Sequence, residues 1–137
     1  MNVTTTHPAP GLTDLRALLA ALDPQVDPVP KHFLHLPHAQ ARAWVDEAMM
    51  MFREAEGTTL IVDAAGNTLQ TDLPRWARIV LNVPSSLVAV GMMAEVSAAL
   101  AQRGIPCNPV SAFLHDHVFV PWDCRHNAHE ALSQLSH

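Results

Sequence analysis

The chain has 137 residues, 49% of them hydrophobic and 15% charged, which suits one compact domain or two very small lobes sharing a core and excludes a disordered chain. A net charge of −5 without a basic stripe argues against nucleic acid and membranes as partners. Cys107 and Cys124 are too few for a disulfide scaffold, no secretory signal is visible, and no apolar run approaches the ~20 residues that span a bilayer, so a soluble cytoplasmic protein is expected.

Residues 1–11 are rich in Thr and Pro and read as a loose tail. The spacing of Leu15, Leu18, Leu19 and Leu22 predicts a helix over 13–22, capped by Thr13, with Asp14 at the positive end of its dipole and Asp23-Pro24 as its stop. Pro28 and Pro30 punctuate a turn, and 32–36 is a short strand around Phe33. Residues 39–52 read as a helix from their Ala, Met and Glu content, broken by Gly57. Residues 58–62 are dense in β-branched side chains and read as a strand. A loop over 64–74, with Ala-Gly-Asn at its tip, divides the chain into two unequal halves.

The second half opens with a strand over 77–83, stopped by Pro84 and Ser85. A helix over 86–103 follows and closes on Gly104. Strands over 107–114 and 117–121 are joined tightly at His115-Asp116. Asp123 caps a last helix with Ala128, Ala131, Leu132 and Leu135 on one stripe. The order strand, helix, strand, strand, helix predicts an α+β antiparallel sheet with helices on one face. It is one strand short of a ferredoxin-like βαββαβ unit, and the first half can lend that strand.

Several residue groups are candidates for chemistry. The 86–103 helix is apolar nearly all round, which suits a subunit or lobe interface and makes Met92 a candidate outward contact. The nine histidines include His115, His117, His126 and His129, but no ligand spacing of a zinc site appears, so no metal or cofactor is expected. Ser85 and Ser86 lack a nucleophile elbow, and Cys107 reads as a small core residue. The start of the helix at Ser86 offers free N–H groups to a carboxylate, and Asp116 offers the opposite charge to an ammonium group.

Three segments carry a resemblance: Phe-Arg-Glu-Ala-Glu-Gly-Thr-Thr-Leu-Ile-Val (52–62), Ile-Val-Leu-Asn-Val-Pro-Ser-Ser-Leu-Val-Ala-Val-Gly (79–91) and Gly-Ile-Pro-Cys-Asn-Pro-Val-Ser-Ala-Phe-Leu-His-Asp-His-Val-Phe-Val-Pro (104–121). Together they resemble short bacterial ACT-domain proteins, which are similar to the regulatory domains of aspartate kinases and to the CASTOR arginine sensors. The resemblance implies a ferredoxin-like ACT fold with two ACT-like units in tandem, 12–72 and 75–137. It also implies a non-catalytic regulatory protein that binds a small molecule, an amino acid, as a homodimer. By that likeness the ligand sits where the strand turns into the helix, at Ser85, Ser86, Leu87 and Val90. The strand after Gly104-Ile105 would contribute Asn108, and the Asp-His pair would be Asp116 and His117. Ser85-Ser86 stands where ACT domains usually have Pro-Gly. Two other functions remain open: an assembly module without a ligand, and an enzyme using His115, Asp116 or His117.

Overall fold

The computed structural model describes residues 2–6, 11–64 and 72–136; the expected tip of the 64–74 loop and part of the expected tail lie outside them. Asp14, not Thr13, caps the first helix, α1 (Leu15–Ala20): its carboxylate accepts the Ala17 N–H at 2.9 Å. After Pro24 come β1 (Gln25–Val26) and β2 (Lys31–Leu36). A one-turn helix, α2 (His38–Ala41), runs into a 3-10 turn (Arg42–Trp44). The first half closes with the hairpin β3 (Met50–Arg53) and β4 (Thr58–Asp63). The second half contains β5 (Trp76–Val80), α3 (Met92–Ala101), β6 (Asn108–Ser111), β7 (Asp116–Pro121) and α4 (Arg125–Ser133).

Among the described residues the strands pair antiparallel and form one sheet in the order β3-β4-β2-β5-β7-β6. β1 pairs with β5 through Gln25↔Val80 and Val26↔Ile79, so the first half does lend the second its missing strand. β2 meets β5 at the ladder pair Lys31↔Trp76. Because paired residues share a face and successive residues alternate, this register puts Leu34, Leu60, Ala77 and Ile79 on one side. The helices cover that side. Under α1, α3 and α4 lies a core that includes Leu18, Ile79, Leu100, Val118 and Leu132, and under α2 a smaller one of Leu34, Ala41, Leu60 and Val62.

The middle of the opposite face is buried too. Ile61 and Phe119 are 0% and 2% exposed there, and Phe33 meets Trp76 and Phe119 edge-on at 5.4 and 5.5 Å. Met49 and Met50 beside β4 line the same small cavity, about 70 Å3, as Val110, Ala112 and His117. The sheet therefore curls until its two edges flank one hollow.

Three expectations need correction. Residues 39–52 are not one helix: helical turns reach only to Trp44, Met49 N–H donates to the Ile61 carbonyl at 2.9 Å, and 50–53 pair with 58–61. Strand pairing across a tight hairpin overrides local helix preference. The long helix begins at Met92 rather than Ser86, because Gly91 has φ +102 and an α-helix cannot pass through it. Met92 is accordingly 4% exposed, an inward residue on the Met92, Val96, Leu100 stripe and not an outward contact. Finally, Asp123 lies in a 3-10 turn (Trp122–Cys124), and α4 has no side-chain cap.

Candidate functional site

The segment between β5 and α3 is shaped by local hydrogen bonds. The Ser86 hydroxyl accepts the Val88 N–H at 3.2 Å and the Ser86 carbonyl accepts the Ala89 N–H at 3.0 Å, a serine-stabilised turn that competes with helix. Residues from the first half press on it from outside. Leu12 N–H donates to the Pro84 carbonyl at 2.6 Å, and the Leu12 carbonyl accepts from Ser86 N–H at 3.0 Å. A Cβ on Gly11 would lie 2.3 Å from the Pro84 oxygen, so only glycine lets the chain come this close.

Asp116 is the first residue of β7, not part of the turn; residues 112–115 make the turn, closed by Ala112 N–H on the His115 carbonyl at 3.0 Å. It is 8% exposed, and its two oxygens accept hydrogen bonds from Ser85 Oγ at 3.0 Å and Ser111 Oγ at 2.6 Å. Among the described residues no cation forms an ion pair with it. Each carboxylate oxygen has two acceptor sites, so both keep one free.

A cleft of about 180 Å3 joins these parts. Ser85, Ser86 and Leu87 form one wall, Ser111, Ala112 and Asp116 another, and Gly91, Met92, Met93 and Ala94 the floor. α3 has no side chain capping its N-terminus. The N–H groups of Met92, Met93 and Ala94 lack helical partners and carry the positive end of the dipole into the cleft. The cleft thus has one end suited to a cation and one suited to an anion.

Of the residues expected at the site, Ser85, Ser86, Leu87 and Asp116 come together. Val90 is 82% exposed and does not line the cleft. Asn108 is exposed at the other end of β6, opposite Phe119. His117 points to the other face of the sheet, as strand alternation requires, and lines the small hollow with Arg78. Burial, aided by the charges of Arg78 and His115 and opposed by Asp116, lowers its pKa. His117 and Asp116 are therefore separated by the sheet. Burial pushes the Cys107 thiol up, which disfavours a thiolate nucleophile. Among the described residues no three His, Cys, Asp or Glu side chains converge as for a metal ion. Sequence reasoning missed Ser111. A hairpin with the turn over 112–115 makes Ser111 the cross-strand partner of Asp116, so the signal was the turn length.

Two family profiles, both described as ACT domain, match residues 73–134 and 10–68. A Vibrio cholerae protein of unknown function, VC0802, described as a possible transport protein, is similar at 29% identity and a TM-score of 0.75, over 90% of this chain and 96% of that one. Atu0741 from Agobacterium tumefaciens shares the fold at 19% identity and a TM-score of 0.63, over 80% and 84%. The aspartokinase alpha and beta subunits share it at 12% identity and a TM-score of 0.61, over 84% and 98%. No curated protein matches.

Proposed function

The chain belongs to the ACT-domain family as two units in tandem, and on that premise we propose that it is a non-catalytic regulatory protein that binds an amino acid in the cleft beside Asp116. We take the units as 12–72 and 75–137. ACT domains are regulatory, ligand-binding modules, and no helix among the described residues is long and apolar enough to cross a membrane, which supports a cytoplasmic sensor. The carrying observation is Asp116, a nearly buried carboxylate held by two serines with no cation paired to it among the described residues, in one cleft with an uncapped helix N-terminus. A buried charge without a counter-charge is costly, and a ligand ammonium group offsets that cost while its carboxylate meets the N–H groups of α3. The volume is below the ~300–1,000 Å3 of sites for drug-sized ligands, so the ligand is small.

A thermal-shift screen of the twenty amino acids should reveal at least one that stabilises the protein. Asp116→Asn should then weaken that ligand by about 1.5–3 kcal/mol, roughly ten- to a hundredfold, measured by calorimetry. No shift with any amino acid, or equal affinity for the variant, contradicts the reading; the first result leaves an assembly module. A second copy of the chain is the expected partner. Leu87, Val88 and Val90, in the segment that includes one wall of the cleft, are 63%, 75% and 82% exposed, and Phe113 and Leu114, next to Ala112 in sequence, are 54% and 49% exposed, apolar surface suited to burial between protomers. Light scattering should give a dimer, and Val90→Glu should shift it toward monomer without lowering the melting temperature. A monomeric wild type at high micromolar concentration would exclude this assembly.

A further inference from the structure

The two halves repeat one plan. β2, α2, β3 and β4 follow each other as β5, α3, β6 and β7 do, with β4 paired to β2 and β3 as β7 is to β5 and β6. In each half the last residue of the outer strand pairs with the first residue of the next: Arg53↔Thr58 in the first, Ser111↔Asp116 in the second. Where the second half puts a carboxylate, the first puts Thr58, 2% exposed, its Oγ1 2.7 Å from His38 Nδ1.

A cleft of about 340 Å3 opens at this matching position. Its polar lining is His38, Arg42, Arg53 and Thr58, with Val45 and Met51 among the apolar walls, and it contains no acid. Among the described residues neither Arg42 nor Arg53 forms an ion pair, although the chain carries 13 acidic residues. Glu54, the acid next to Arg53 in sequence, is tied to the Thr59 hydroxyl at 2.7 Å, and Thr59 lies on the opposite face of β4 from Thr58. The His38–Thr58 pair keeps one donor in either tautomer: the hydroxyl when Nδ1–H donates to Oγ1, or Nε2–H when the hydroxyl donates to Nδ1.

We propose that this cleft is a second binding site, taking a small organic oxyanion: a carboxylate or phosphate monoester that carries a short apolar group. Guanidinium groups bind both kinds of head group through paired N–H bonds. Val45 and Met51 receive the apolar part. Thr58, buried and fixed by pairing, supplies a hydroxyl to the lining. The tandem then has two sites of different character, and ligand choice in one is independent of Asp116 in the other.

Calorimetry at low ionic strength, where exposed charges are least screened, tests this with three probes: inorganic phosphate, phenyl phosphate and butanoate. Saturable one-site binding of at least one organic probe is expected, and phenyl phosphate or butanoate binding more tightly assigns the head group. The double variant Arg42→Gln, Arg53→Gln should weaken it about tenfold or more. Both arginines are exposed, so that variant should keep the wild-type melting temperature. Val45→Glu, at a position 61% exposed, should weaken it as well, while Asp116→Asn should leave it unchanged. No saturable binding at millimolar concentration, tighter binding of inorganic phosphate than of both organic probes, or undiminished binding by the double variant overturns the site. A loss caused by Asp116→Asn relocates binding to the other cleft and overturns it too.

Discussion

The two halves of this chain share a strand order and a pairing pattern but differ in what fills them. The second has a ten-residue helix over a large apolar core and a cleft with a buried carboxylate. The first has a four-residue helix over a cluster of four buried residues and a cleft lined by arginines. The difference teaches that backbone pairing preserves the plan while helix length and side-chain charge are free to diverge. It also ranks the halves: stability concentrates where apolar area is buried.

The sharpest test of that ranking is Leu100→Ala, a fully buried position on α3. It should cost about 2–5 kcal/mol, measured by urea unfolding. Leu34→Ala, 8% exposed in the smaller cluster, should fall at the low end of that range because its surroundings can close around the gap. Equal costs would break the ranking.

The seam between the halves gives the next effect. Lys31, 2% exposed, pairs with Asp27 at 2.9 Å and with Asp63, and Asp27 also pairs with Arg78 of β5 at 2.8 Å. Lys31→Met should cost about 1–3 kcal/mol, less than a fully buried pair because Asp63 is half exposed. Burial alone would raise the Asp27 carboxyl, but the Lys31 hydrogen bond, the Val29 N–H and the charges of Lys31 and Arg78 together hold it below its ordinary value. Its contribution is therefore complete above pH ~4 and is lost as pH falls through the lowered pKa. Urea melts in that range should show a shallower acid loss for Asp27→Asn than for wild type. Parallel slopes would remove Asp27 from the seam.

The smallest effect lies in the hollow under the curled sheet. His117 titrates below 6.5 in the fold, so the unfolded chain takes up its proton first. Stability declines as pH drops below about 6.5 and levels off beneath the folded pKa. His117→Gln should lack that component, seen as a wild-type minus variant difference in melting temperature between pH 7 and pH 5. An identical pH profile for the two proteins would contradict the burial of the neutral ring.

Much of this was legible in the residues. The alternation of Val118 and Val120 gave β7, Gly104 gave the end of α3, and the Ser85-Ser86 turn and Asp116 proved to share a cleft. What stayed hidden depends on partners distant in sequence. Met50–Arg53 becomes a strand only because β4 is beside it. Gln25–Val26 is too short to announce itself without β5. The side on which His117 falls follows from where the strand starts, and a tight-turn reading that put Asp116 outside the strand concealed that it and His117 face opposite ways.

The strand that the first half lends to the second has a genetic consequence. A fragment starting at residue 72 would carry β5, α3, β6, β7 and α4, yet lack the edge made by Gln25–Val26 and the Leu18 and Leu22 side chains that complete its core. A fragment of residues 11–64 would carry α1 with its apolar face uncovered. Neither half is a self-sufficient cassette, and recombination that exchanged one half for an unrelated copy would have to preserve both surfaces at once.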